Sequence, residues 1–247
     1  SVKEVIKEVL DRVVKLIKDV IDALKTVLDR HLRLNRENIR ALLEVLERIL
    51  ELLEELVRKS TDDRAEEVLR RVVTKIRELL ERIKRESDKV SEKVRRLVEE
   101  IRRILKEAVD RIKKLVEELR KALEGIREEI ADKLRKIEKK IKRILEELRK
   151  MLEELARTIE KLNKDDEDTV RKTVETIERI LEEETRSTDD LEKLLRKVRK
   201  IAKELADELR KLHREVKETH EDLKRKLDKL LKDIRKVVED IKREVDR

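Results

Sequence analysis

His31, His213 and His220, with Asn35, Asn38, Ser87 and Ser91, are the residues of this chain whose types and spacing could do chemistry. Histidines can ligate zinc, titrate near neutral pH or hydrogen-bond inside a core. A zinc site needs three or four converging ligands, and His213 and His220 are a heptad apart, about 10 Å along a helix, too far to chelate one ion. The expected metal ligands are therefore none. The seven polar residues instead share the phase of an apolar stripe: His31, Asn35 and Asn38 continue Leu24, Leu28 and Leu42, and Ser87 and Ser91 lie among Val90 and Val94. His213 and His220 continue Leu209, Val216, Leu223 and Leu227. Polar groups in core phase need partners, so the reading is a buried hydrogen-bond network of His31, Asn35, Asn38, Ser87, Ser91, His213 and His220, with a pH response of the histidines as the alternative.

Catalysis finds no support in the sequence. The chain has no cysteine, so thiol nucleophiles, thiolate metal sites and disulfides are excluded. It has no Gly-rich phosphate loop and no nucleophile elbow, and paired carboxylates among 62 acidic residues carry no information. The expectation is no enzyme, no cofactor and no small-molecule ligand. Phe, Tyr and Trp are absent, which removes base-stacking platforms and membrane-interface anchors. The net charge of +8 comes from 70 basic and 62 acidic residues interleaved along the chain, a solvated surface rather than a one-sided nucleic-acid stripe. No apolar run approaches the roughly 18 residues of a membrane span, and Ser1 begins inside an amphipathic pattern, so a soluble chain without a targeting signal is expected.

The elements that must position these residues are all helices. With 53% charged residues, 38% hydrophobic residues, one glycine and no proline, the composition is that of long helices or coiled coil. Turn signals stand at Ser60-Thr61-Asp62-Asp63, at Asn163-Lys164-Asp165-Asp166 and at Ser187-Thr188-Asp189-Asp190, where hydroxyl and carboxylate side chains can cap the following helix. The apolar positions keep phase past Ser87, Ser91 and Gly125, and a lone glycine costs a helix only ~1 kcal/mol. The expected fold is all-α, with four helices of very unequal length at about 1–59, 63–162, 167–185 and 188–247 in an extended rod. Folding the first helix back on the second near residue 61 sets Asn35 level with Ser87 and His31 level with Ser91.

A second copy of the chain enters through the long helix. The broad apolar stripe narrows after Leu123 to Ile126, Ile130, Leu134, Ile137 and Ile141, a coiled-coil seam. Reflection about Asp132 sets Glu124, Glu128 and Glu129 against Lys140, Lys136 and Arg135, the pairing of an antiparallel two-fold. These six apolar residues are the expected dimer interface. The corresponding division is a hairpin at 1–121, a dimerisation segment at 122–142 and a three-helix segment at 143–247, whose last helix packs on the partner's hairpin with His220 near Ser87 and Ser91. A parallel trimer would bury the same stripes.

The repeated Ser-Thr-Asp-Asp turns, the Asn, Ser and His placed in aliphatic seams, and the Lys/Arg/Glu surface resemble computationally designed helical bundles with buried hydrogen-bond networks. The resemblance covers the whole chain and carries no active site. It implies a structural, self-assembling protein with itself as partner, an antiparallel homodimer first and a trimer second. A natural coiled-coil scaffold and an amphipathic lipid-binding protein are the other classes, although both would be expected to carry aromatics or proline.

Overall fold

Periodicity of apolar residues at three and four builds every element in the computed structural model, which describes residues 2–59, 65–122, 128–184 and 191–246. The helices are α1 (Val2–Lys59), α2 (Ala65–Ala122), α3 (Glu128–Glu184) and α4 (Leu191–Asp246), and the described residues contain no strand. Acidic residues open three of them, Glu4 in α1, Glu66 and Glu67 in α2 and Glu192 in α4, and basic residues close α1, α2 and α4. Both placements oppose the helix dipole.

The all-α expectation holds, and α1 and α4 run close to the expected bounds. The second and third helices do not. The expected helix over 63–162 is replaced by α2, ending at Ala122, and α3, beginning at Glu128, and the four helices are nearly equal at 58, 58, 57 and 56 residues. Arg120 pairs with Glu138, while Lys84 pairs with Glu178 and Arg95 with Glu167, so residue numbers fall along α3 as they rise along α2. The two helices are antiparallel neighbours. Continuity through Gly125 concerned residues 123–127, which lie outside the described residues, as do the Ser-Thr-Asp-Asp segments at 60–63 and 187–190.

The other correction is at Asn163-Lys164-Asp165-Asp166, expected as a turn and found as helix in the middle of α3. Ile159, Asn163, Asp166 and Val170 are successive buried positions of one stripe, so the two polar residues occupy core sites rather than caps. Beyond them the threonines satisfy their hydroxyls on the preceding turn: Thr169 Oγ1 donates to the Asp165 carbonyl at 2.9 Å, and Thr173 Oγ1 donates to the Thr169 carbonyl at 2.9 Å. Such back-bonding satisfies the hydroxyl within a helix, although it does not itself stabilise the helix.

The chain divides into two units, each drawing on all four helices. The first comprises 1–30, 96–159 and 219–247. Its interior is aliphatic apart from His220, with Leu10, Ile21, Leu28, Ile101, Ile112 and Ile159 among its fully buried side chains. Along its α1–α4 contact the ion pairs are Lys7 with Asp246, Asp11 with Lys242, Lys25 with Asp228 and Asp29 with Lys224. Every step up α1 is matched by an equal step down α4, so the two helices are antiparallel and in fixed register. Arg12 with Glu118 and Arg30 with Glu100 do the same between α1 and α2.

The second unit comprises 31–95 and 160–218. Its core joins Ile39 to Leu56 of α1, Val72 to Ile83 of α2, Val170 to Leu181 of α3 and Leu191 to Leu209 of α4. Arg199 of α4 reaches Glu54 of α1 at 2.7 Å. A buried aliphatic side chain contributes about 1.5–3 kcal/mol relative to exposure, whereas an exposed ion pair contributes at most ~1 kcal/mol. Cores therefore stabilise these units, and the ion pairs mark which helix meets which, and at what height.

Candidate functional site

The site worth building is the polar end of the second unit. On α1, His31, Asn35 and Asn38 precede Ile39; on α2, Ser87 and Ser91 follow Ile83; on α3, Asn163 and Asp166 precede Val170; on α4, His213 follows Leu209. In each of the four segments polar residues interrupt the aliphatic stripe. All of them are buried except His213, which is partly exposed.

Two hydrogen bonds tie helices together here. His213 Nδ1 lies 2.9 Å from Asn35 Oδ1. A carbonyl oxygen only accepts, so Nδ1 carries the proton and the bond joins α4 to α1. Asn38 Nδ2 donates to Asp166 Oδ2 at 3.3 Å and joins α1 to α3. Asn163 and Asp166 were missed by sequence reasoning because both are also favoured at helix ends. Their phase with Ile159 and Val170 was the signal that could have found them.

Burial sets the ionisation of the layer. His31 is 2% exposed and its pKa is pushed down to about 4, because a charged imidazole there would lose its hydration. The His213 pKa is lowered as well, first by burial and then by the charges of Arg36 and Lys217. Burial pushes the Asp166 carboxyl up to about 6; the Asn38 hydrogen bond opposes that shift and the Glu167 charge adds to it. At neutral pH the layer thus holds neutral imidazoles and one costly carboxylate.

The remaining expected site residues fall as follows. His220 is 2% exposed, within the α4 segment of the first unit. Of the expected two-fold seam, Ile137 and Ile141 are 2% and 3% exposed, buried within the single chain. Leu123 and Ile126 lie outside the described residues, and the side chains of Ile130 and Leu134 are not described. The exchange of the last helix with a partner rested on an unbroken helix over 63–162; with α2 and α3 antiparallel that premise is gone, and α4 pairs with α1 of its own chain.

No group of three or more His, Cys, Asp or Glu among the described residues is arranged to hold a metal ion. An open cavity of about 410 Å³ in the second unit is lined by Lys84, Ser87, Arg95, Glu167, Arg171 and Glu175, among others. Arg95 reaches Glu167 across it at 3.1 Å. Cations and carboxylates alternate around this groove, so it selects neither sign of ligand. No described helix is long and apolar enough to cross a membrane.

No protein-family model matches the chain, and no curated protein does. Among solved structures it is similar to one titled "Computationally designed three helix bundle", at 21% identity over 97% of this chain and 94% of that one, with a TM-score of 0.28.

Proposed function

We propose that this is a structural protein, a helical bundle complete within one chain, whose buried polar layer fixes helix register and which performs no catalysis. The observation that carries this reading is the covering of apolar surface. Among the described side chains, the apolar stripes of all four helices are buried or half-buried inside the chain, and Val5, at 38%, is the exposed large hydrophobic residue. A helix pair awaiting a partner would leave a contiguous apolar face in water. The repeated Ser-Thr-Asp-Asp segments, the aliphatic seams and the absence of aromatics, proline and cysteine further support a computationally designed origin.

Light scattering coupled to size exclusion tests the proposal. The expected mass is that of one chain, 29.8 kDa, independent of concentration. A stable mass of two chains would refute self-sufficiency and return the antiparallel dimer with exchanged last helices. Three chains would return the parallel trimer.

A further inference from the structure

Four atoms of Asn38 and Asp166 carry the argument. Asn38 Nδ2 donates to Asp166 Oδ2 at 3.3 Å, both residues being buried in the second unit. The other oxygen of each side chain, Asn38 Oδ1 and Asp166 Oδ1, is buried with no hydrogen-bond partner. Both are acceptors while Asp166 is ionised, so neither can satisfy the other. One proton on Oδ1 of Asp166 changes that, because a carboxylic acid offers an O–H donor beside its remaining acceptor. An amide and a carboxylic acid are complementary in both bonds at once: Nδ2–H donates to Oδ2, and Oδ1–H donates to the Asn38 carbonyl oxygen.

We propose that Asp166 takes up a proton from solvent in the folded chain and closes a two-bond ring with Asn38, a latch between α1 and α3 that tightens in mild acid. The groups around it leave this proton to Asp166. On α1, His31 is buried and kept neutral, and Asn35 is occupied by His213. On α2, Ser87 and Ser91 are uncharged, and the cation Arg95 is directed to Glu167 at 3.1 Å. On α3, Glu167 adds negative charge beside Asp166 and favours its protonation. On α4, the partly exposed His213 has its Nδ1 proton committed to Asn35. No cation among these is bonded to the Asp166 carboxylate. The histidines of the same layer respond to acid in the opposite sense, since their charged forms are the ones that burial disfavours. The latch is thus a counterweight within the layer, whether the chain acts alone or in copies.

Carboxyl-detected NMR titration of the intact chain tests the proposal, with aspartate labelled at the side-chain carbon. The Asp166 resonance should titrate near pH 6, well above an ordinary aspartate, and the Asn38 side-chain amide protons should shift with the same midpoint. Titration of Asp166 in the usual range near 4, or an Asn38 amide that does not follow it, would overturn the latch. Asp166→Asn supplies the second test, because an amide pair makes both bonds at any pH. Relative to that variant, the parent's folding equilibrium constant should gain about tenfold on going from pH 7 to pH 5. Parallel pH curves for parent and variant would overturn it equally.

Discussion

Lowering the pH from 7 to 5 should destabilise the chain through His31 by an amount that can be worked out from its burial. The imidazole has a pKa of 6.5 when exposed in the unfolded chain and about 4 when folded. Between those values only the unfolded chain binds the proton, so stability from this group is intact well above 6.5 and falls by about 1.4 kcal/mol per pH unit below it. The loss is about 2 kcal/mol at pH 5 and levels off near 3.4 kcal/mol below pH 4. Asp166 has the opposite sign. Its folded pKa of about 6 exceeds 3.8, so its contribution is full below 3.8 and is lost as the pH rises through 6. Acidification to pH 5 therefore returns about 1.3 kcal/mol. His213, with a lowered pKa, adds in the direction of His31. Paired carboxylates such as Glu55 and Glu138, held low by hydrogen bonds from Lys59 and Arg120, lose their contribution only at more acid pH. Guanidinium chloride titrations followed by circular dichroism at pH 7, 6 and 5 should show a shallow net loss in the parent. In His31→Leu the same curve should be displaced upward at pH 5 by about 2 kcal/mol relative to its value at pH 7. Parallel curves for the two chains would mean that His31 is solvated, and the reasoning would fail.

Other expectations concern packing and register. Ile177→Ala, at a side chain with no exposed surface, should cost about 2–5 kcal/mol by chemical denaturation. Asp11→Lys should cost at most ~1 kcal/mol through Lys242, with Lys242→Asp restoring most of it and added salt erasing the effect; equal loss in the double variant would refute the α1–α4 register. Moving the Asn38–Asp166 pair one heptad along both helices, with Asn38→Val and Val45→Asn on α1 and Asp166→Val and Thr173→Asp on α3, should restore stability that either half alone loses. Additive losses in the combined variant would show that the pair depends on more than mutual height.

Most of the helical architecture was legible because period and phase are local properties. Continuity of the stripe on either side puts Ser87 and Ser91 in core phase, and His31, Asn35 and Asn38 by the same means; all five are buried. That criterion failed for the end of α2, and for a physical reason. A heptad seam looks alike in both directions, so the apolar positions of two antiparallel helices, α2 and α3, read as one uninterrupted stripe. Asn163 and Asp166 failed in the opposite sense, since residues that cap helices also serve as buried hydrogen-bonding groups. The hydrogen bond from Asn38 to Asp166 was not legible at all. It joins α1 to α3, and the pairing of those helices appears only once the course of the whole chain is known.

A long aliphatic seam has a particular weakness that this layer addresses. Leu and Ile recur every three or four residues, so a helix displaced by one heptad against its neighbours meets nearly the same apolar surface and loses little burial. Exposed ion pairs resist the shift weakly, at ~0.2–1 kcal/mol each. A buried polar group resists it strongly. Sliding α1 by a heptad would carry Asn35 and Asn38 away from His213 and Asp166 and leave donors and acceptors facing hydrocarbon, at about 1–3 kcal/mol for each orphaned group. Concentrating those residues at one end of the second unit, with contributions from all four helices, makes the correct register the one in which they find partners. The cost is a carboxyl and imidazoles held away from water, and it is this cost that makes the layer sensitive to pH.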